Sequence, residues 1–362
     1  MTLLSICLPV EAADPAAEPL LATLLANREA EIEVLVSLAP GATLEAPADP
    51  RVSFVPWPEG RGAQAAWRAL VAASGGEWVT LVKPGDALES DLAKVVSFLK
   101  TNVPDIDALG WNIFQIDSRD EPTRAGPVAI PVDYQIERLS KDGMLKAFFY
   151  WEGSLNVPKM PFGLYHGAVR RSIVEGILSL PEASDWQTLV PQYEWAAKVL
   201  LFADNLAFCA RPLSAINVRG YVPAADVNPN WGFPFTAALG LTGAIAEVQF
   251  HCLREFGTAF TATQDFVRAC MIDAMMETER PLFVQKGNAY FEALQRFDHV
   301  NLAPLFRPEF REPKAQDRRR GLHGKALMVD RFIGGARDAR EFFGIVRSMI
   351  APVGLICGGT VA

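Results

Sequence analysis

Apolar runs too short for helices punctuate the first 110 positions, at residues 4–9, 32–38, 52–56 and 78–82. Runs of this kind, apolar on consecutive positions rather than alternating, predict strands buried on both faces of a sheet. Between them, residues 19–27, 63–73 and 90–99 carry apolar side chains at three- and four-residue spacing, which predicts helices. Strand and helix therefore alternate, as in βαβ units, and the expected fold class is α/β with a mostly parallel sheet flanked by helices. A further strand is expected at 108–116, a polar turn at 117–121, and Pro- and Gly-rich loops at 122–131 and 157–163. Residues 193–202 read as a helix and 206–210 as a short strand ending at Arg211-Pro212. Pro223, Pro229 and Pro234 then mark a linker, and 235–256 and 265–279 return to helical spacing. The expected division is a first domain at 1–222 and a mainly helical C-terminal domain at 223–362.

Composition narrows the class. A chain of 362 residues, 50% of them apolar and 21% charged, buries a full core and is neither disordered nor fibrous. The net charge of −8 is uneven. Residues 301–362 hold 11 Lys or Arg against 6 Asp or Glu, a surplus of 5, which leaves −13 on the first 300 residues. The basic tail, with Arg318, Arg319 and Arg320, suits phosphate, anionic lipid or an acidic partner, or is simply a solvated loop. Five cysteines without C-x-x-C spacing fit neither a disulfide framework nor a zinc site, so a cytoplasmic location is expected, with peripheral membrane contact as a secondary option. No apolar run reaches the ~20 residues needed to span a bilayer, and the nearest, 342–362, is expected to dock on the core.

The segment G-G-E-W-V-T-L-V-K-P-G-D-A-L (75–88) resembles the strand and aspartate turn of family 2 glycosyltransferases with the GT-A fold. Lys83 and Gly85 stand where that family has two aspartates, and Asp86 remains. The resemblance extends over residues 1–220 in order: S-I-C-L-P-V at 5–10 resembles the opening strand, E-I-E-V-L-V-S at 31–37 the second, and R-V-S-F-V at 51–55 the third. The stretch 194–219 resembles the region after the acceptor site, with Pro191-Gln192 at the family's Glu-Asp position. The implied activity is hexosyl transfer from a nucleotide-diphosphate sugar, in polysaccharide or glycoconjugate synthesis, to an unknown sugar, lipid-linked or protein acceptor. Nucleic acid is not an expected partner.

Such a transfer must neutralise charge developing on a diphosphate leaving group, commonly with a divalent metal, Mn or Mg. Asp86 is the candidate metal ligand. Lys83 is the alternative, a point charge acting directly on the phosphates. Pro9, Glu11, Lys83 and Asp86 are the expected donor-binding residues. An inverting reaction also needs a base for the acceptor hydroxyl, and Glu194, Asp185 and His166 are the candidates. Glu194 and Asp185 equally suit helix starts, and Trp151, Trp186 and Trp195 equally suit sugar stacking or core packing.

Two other signals compete. Gly60, Gly62 and Ala65 spell G-x-G-x-x-A, but after the third strand rather than the first. L-H-G-K-A-L-M-V-D (322–330) resembles the H-x-K-x-x-x-x-D signature of the phospholipase D superfamily, implying phosphodiesterase chemistry by His323 and Lys325 with Asp330, provided one strand presents His and Lys on one face. The alternative to any catalysis is a GT-A-like domain retained as a binding or scaffold module.

Overall fold

The computed structural model describes residues 2–12, 14–28, 31–59, 62–117, 120, 125–180, 188, 190–218, 232–312, 320–359 and 361. The expected alternation of strand and helix is present. In chain order come β1 (Leu4–Val10), α1 (Ala17–Leu25), β2 (Ile32–Leu38), β3 (Val52–Phe54), α2 (Ala63–Ala73), β4 (Trp78–Leu81), β5 (Ala87–Leu88) and α3 (Leu92–Asn102). Then follow β6 (Ala108–Asp117), β7 (Val128–Pro131), β8 (Ile136–Leu139), α4 (Lys141–Phe149), β9 (Gly167–Arg170), α5 (Arg171–Leu178), α6 (Pro191–Phe202) and β10 (Leu206–Val218). The remainder holds α7 (Leu241–Glu255), α8 (Gln264–Met275), α9 (Arg280–Asp298), β11 (Gly321–His323), β12 (Ala326–Val329), α10 (Ala339–Val346) and α11 (Val353–Cys357).

The central sheet runs β3-β2-β1-β4-β9-β6-β10-β5, with β8 also paired to β10. The first four strands are parallel, β9 is inserted antiparallel between β4 and β6, and β6 and β10 run parallel again. The fold is thus mixed α/β with a mainly parallel sheet. Strand β1 shows why its apolar run is continuous. Leu4, Ile6, Leu8 and Val10 enter one core with α1, α3 and α11, whereas Cys7 enters the opposite core with Trp67, Leu70 and Val71 of α2 and with α4 to α7. Both faces are covered, so neither set of alternate positions can be polar without a partner. Ser5 has its partners: its hydroxyl donates to Glu33 at 2.5 Å and accepts from Gly76 N–H at 2.7 Å.

Helices α7 to α9 close a third core around Trp151, Phe235, Phe266 and Tyr290, in line with the helical pattern expected there. The end of the chain returns to the sheet. Phe342 and Phe343 of α10 pack on Phe114 of β6, with ring centroids 5.5 and 6.3 Å apart. Val353 and Ile356 of α11 join the core beneath β1 and α3. The stretch 342–362 therefore docks, as its broken apolar pattern predicts, and among the described residues no helix is long and apolar enough to cross a membrane.

Two local expectations change. Pro212 does not end β10, because the register against β6 shifts between Cys209 and Ser214 and a bulge absorbs the missing donor. Part of the expected loop at 122–131 is instead β7, which pairs with β12 to form a small three-stranded sheet with β11. That small sheet corrects the phosphodiesterase reading. His323 ends β11 and Lys325 lies in the hairpin turn before β12, so one strand does not present both side chains on one face. His323 is exposed with Nε2 3.2 Å from the Arg320 carbonyl, while Asp330 pairs with Arg320 at 2.9 Å. Arg318 and Arg319 lie outside the described residues.

Candidate functional site

Strand order fixes where a ligand would sit in such a sheet. The chain winds from β1 outward to β2 and β3 on one side, while β4 lies on the other side of β1. This reversal beside the carboxyl ends of β1 and β4 is the usual ligand position in open α/β sheets. Glu11 follows the end of β1, and Lys83 to Asp86 follow β4.

The turn after β4 is tightly held. Gly85 takes φ +84°, a left-handed value that favours glycine. Its carbonyl accepts from Asn217 Nδ2 at 2.6 Å, and a Cβ there would meet that nitrogen at 3.0 Å. Asp86, 2% exposed, faces inward. Its Oδ2 accepts from the Tyr165 hydroxyl at 2.7 Å and the Lys83 N–H at 3.2 Å, and lies 3.1 Å from His166 Nε2. Its Oδ1 accepts from the Asn217 N–H at 3.2 Å. Burial, and next the charge of Asp86, push the Tyr165 phenol well above its ordinary pKa, so it remains a donor.

His166 reaches Asp86 only through an unusual backbone. It has φ +54°, a left-handed value that costs a non-glycine residue roughly 1–2 kcal/mol. Its N–H donates to the Leu81 carbonyl at 3.1 Å, while Leu81 N–H donates to Leu164 O at 2.6 Å, so β4 clamps the turn on both sides. Adjacent residues Tyr165 and His166 are thereby aimed at the same carboxylate oxygen. Strain maintained by surrounding structure is a feature of functional sites. His166 Nε2 faces Oδ2, and His166 Nδ1 is buried with no hydrogen-bond partner among the described residues.

Lys83 completes the cluster. Its ammonium lies 3.2 Å from the Glu11 carboxylate, 5.2 Å from the Trp67 ring centroid and 5.9 Å from that of Tyr165. The side chain is 33% exposed and Glu11 45%, so the charged end of the cluster meets solvent while Asp86 does not. Pro9 is buried within β1, two residues before Glu11.

Glu194 belongs to a second cluster. It sits in the first turn of α6, as expected, but its Oε1 accepts from Lys198 Nζ at 2.7 Å and its Oε2 from Gln64 Nε2 of α2. Lys198 also pairs with Glu255 at 3.2 Å. Burial raises the Glu194 pKa and Lys198 opposes the rise. Helix α2 touches both clusters, through Gln64 here and Trp67 beside Lys83. Asp185 and Trp186 lie outside the described residues. Trp151 and Trp195 are core residues rather than open stacking faces: Trp151 is fully buried, with its indole N–H donating to Gln249 at 3.1 Å, and Trp195 is 3% exposed.

A divalent metal fits these residues poorly. Both Asp86 oxygens already have protein partners, the carboxylate is buried, and among the described residues no group of three or more His, Cys, Asp or Glu could hold a metal ion. Sequence reasoning missed Tyr165 and Asn217. Tyr165 is adjacent to a candidate and could have been found through the G-L-Y-H-G turn, whereas nothing local marks Asn217.

No protein-family model matches this chain, and no curated protein matches it. Among solved structures it is similar to residues 1–349 of TarS from S. aureus, at 13% identity over 82% of this chain and 81% of that one, with a TM-score of 0.46. The same region of TarS in complex with UDP-GlcNAc gives 13% identity over 81% of each chain and a TM-score of 0.46. The mannosyltransferase PcManGT from Pyrobaculum calidifontis, in complex with GDP-Man and Mn2+, is 14% identical over 83% of this chain and 77% of that one, with a TM-score of 0.38.

Proposed function

We propose that residues 1–222 form a GT-A-like domain that binds a nucleotide-diphosphate sugar at the carboxyl ends of β1 and β4 and transfers the sugar to an acceptor. The observation that carries this reading is the placement of the Lys83 side chain, one third exposed and backed by two aromatic rings, at the point where strand order reverses. The ordered resemblance of residues 1–220 to family 2 glycosyltransferases agrees with it. On this reading Lys83 and Glu11 border the diphosphate, Trp67 and Tyr165 hold the lysine, and Asp86 positions Tyr165 and His166. The described residues from 232 onward form a mainly helical extension that also carries the β11–β12 hairpin, and its last helices brace the sheet.

A second reading, nucleotide binding without transfer, has a specific observation in its favour. Glu194 is tied to Lys198 and Gln64, and His166 is 1% exposed, so neither presents an open base to an acceptor hydroxyl. Incubation with UDP-GlcNAc and GDP-Man, with calorimetry for binding and a coupled assay for released UDP or GDP, separates the readings. Binding with nucleotide release, the sugar passing to water or to an added sugar acceptor, supports transfer, and binding without release under both conditions supports the module. Absence of binding by UDP-, GDP- and dTDP-sugars contradicts both.

A further inference from the structure

We infer that the diphosphate of a ligand at this site is neutralised by Lys83 rather than by a divalent cation, with Glu11 as a resident counter-ion that the diphosphate displaces. This rests on the donor-site reading above and adds to it how the charge is met. Three features converge on it.

The first is the state of Asp86. A carboxylate that holds a metal must turn at least one oxygen to the ion, and magnesium-type sites need one or two such carboxylates beside the phosphates. Asp86 instead spends its oxygens on Tyr165, His166, the Lys83 N–H and the Asn217 N–H. Freeing one would leave buried donors unsatisfied. Asp86 is therefore a positioning residue for the turn that carries Lys83.

The second is the electrostatics around Glu11, the other carboxylate of the cluster. Its Oε1 lies 3.2 Å from Lys83 Nζ, so a cation coordinated by Glu11 would sit within a few ångströms of a fixed positive charge. Like charges at that range repel, and Trp67 and Tyr165 on one side of the lysine reduce the screening by solvent.

The third is how Lys83 is presented. Strand β4 and the Asp86 bond fix its backbone, the two rings limit its side chain, and the ammonium remains open on the side that Glu11 occupies. Glu11 is 45% exposed and able to swing outward. A diphosphate arriving over β1 and β4 exchanges one anion for another at Nζ, with no change in the protein's own hydrogen bonds behind it.

The test is calorimetric titration of the full chain with UDP and with GDP, each in excess EDTA and again in MnCl2, for the unmodified protein and for Lys83→Met, Lys83→Arg and Glu11→Gln. Thermal melts of each variant establish that it is folded. The expected result is binding of one nucleotide with the same affinity in EDTA and in manganese. Lys83→Met should weaken it at least ~10-fold, the scale of one charge-assisted contact, while Lys83→Arg retains most of it. Glu11→Gln should tighten it about 2- to 5-fold, the scale of one half-exposed ion pair. Nucleotide binding that is lost in EDTA and restored by manganese overturns the inference and leaves the donor site standing. A Glu11→Gln variant that weakens binding overturns it too, because Glu11 would then be a ligand and not a competitor. Failure of both nucleotides under both conditions, and of dTDP titrated as a third, sinks the donor-site reading itself.

Discussion

Replacing Asp86 distinguishes a buried hub from an exposed ligand. Its Oδ2 is bonded by the Tyr165 hydroxyl at 2.7 Å and lies 3.1 Å from His166 Nε2, and both partners are side chains held by the same turn. Hydrogen bonds to a charged group contribute about 1.5–3 kcal/mol each, so the two amount to ~3–6 kcal/mol. The cost of burying the carboxylate offsets part of this, and Asp86→Ala should lower unfolding free energy by about 3 kcal/mol. Asp86→Asn should cost less, ~1–2 kcal/mol. Its best rotamer keeps the carbonyl toward Tyr165 and His166 but turns the NH2 toward the Asn217 N–H, leaving two donors face to face. Urea denaturation followed by tryptophan fluorescence reads both changes through the midpoint at constant slope. An exposed ligand behaves oppositely: removing its charge leaves stability unchanged or raises it. If Asp86→Ala unfolds at the same urea concentration as the unmodified protein, the hub argument is wrong.

Other outcomes follow from neighbouring geometry. Burial, and next Arg254, lower the His251 pKa from 6.5 to about 4. The unfolded chain thus binds more protons between those values, and stability present above pH 6.5 is lost as pH falls toward 4. The interval corresponds to at most ~3.4 kcal/mol and to about 2 after allowing for solvent screening; urea midpoints across pH 4–7 should fall less steeply in His251→Phe. Gly167→Ala would place a Cβ 2.3 Å from the Gly163 carbonyl oxygen, in the turn that aims Tyr165 and His166. The strain should cost ~1–3 kcal/mol in the same denaturation assay and reduce nucleotide affinity with it. Glu89, fully buried, pairs with buried Arg211 at 2.7 Å and with Arg347, which is 41% exposed. Thermal melts should show Arg211→Ala destabilising by ~3 kcal/mol and Arg347→Ala by under about 1.

Strands β1, β2 and β4 were legible because burial on both faces leaves continuous apolar runs, and α2 because Trp67, Leu70 and Val71 mark a single buried face. Strand β9 was not, since four residues inserted antiparallel between β4 and β6 carry no period of their own. Pro212 misled the reading of β10 because a bulge, invisible in sequence, absorbs it. In sequence the tail carries only the marks of a basic loop and a docking segment. Its hairpin pairs with β7, nearly 200 residues earlier, which local pattern cannot reveal.

At the site, Glu11, Lys83 and Asp86 were legible from the strand-and-turn resemblance, and the structure brings them together. The grouping of His166 with Asp86 was not, because it depends on a left-handed backbone at a histidine, where glycine would be the usual signal. Asn217 was hidden for another reason. It joins the Gly85 carbonyl, the Asp86 carboxylate and, through Oδ1, the Ala339 N–H at the start of α10, a convergence created wholly by the crossing of distant segments.

In the proposed function a nucleoside diphosphate seats over the ends of β1 and β4. Amide hydrogen exchange measured with and without saturating UDP or GDP tests it most directly. New protection is expected only in the segments around Glu11, Lys83–Asp86 and Tyr165–His166. Binding that protects another region and leaves these three unchanged would contradict it.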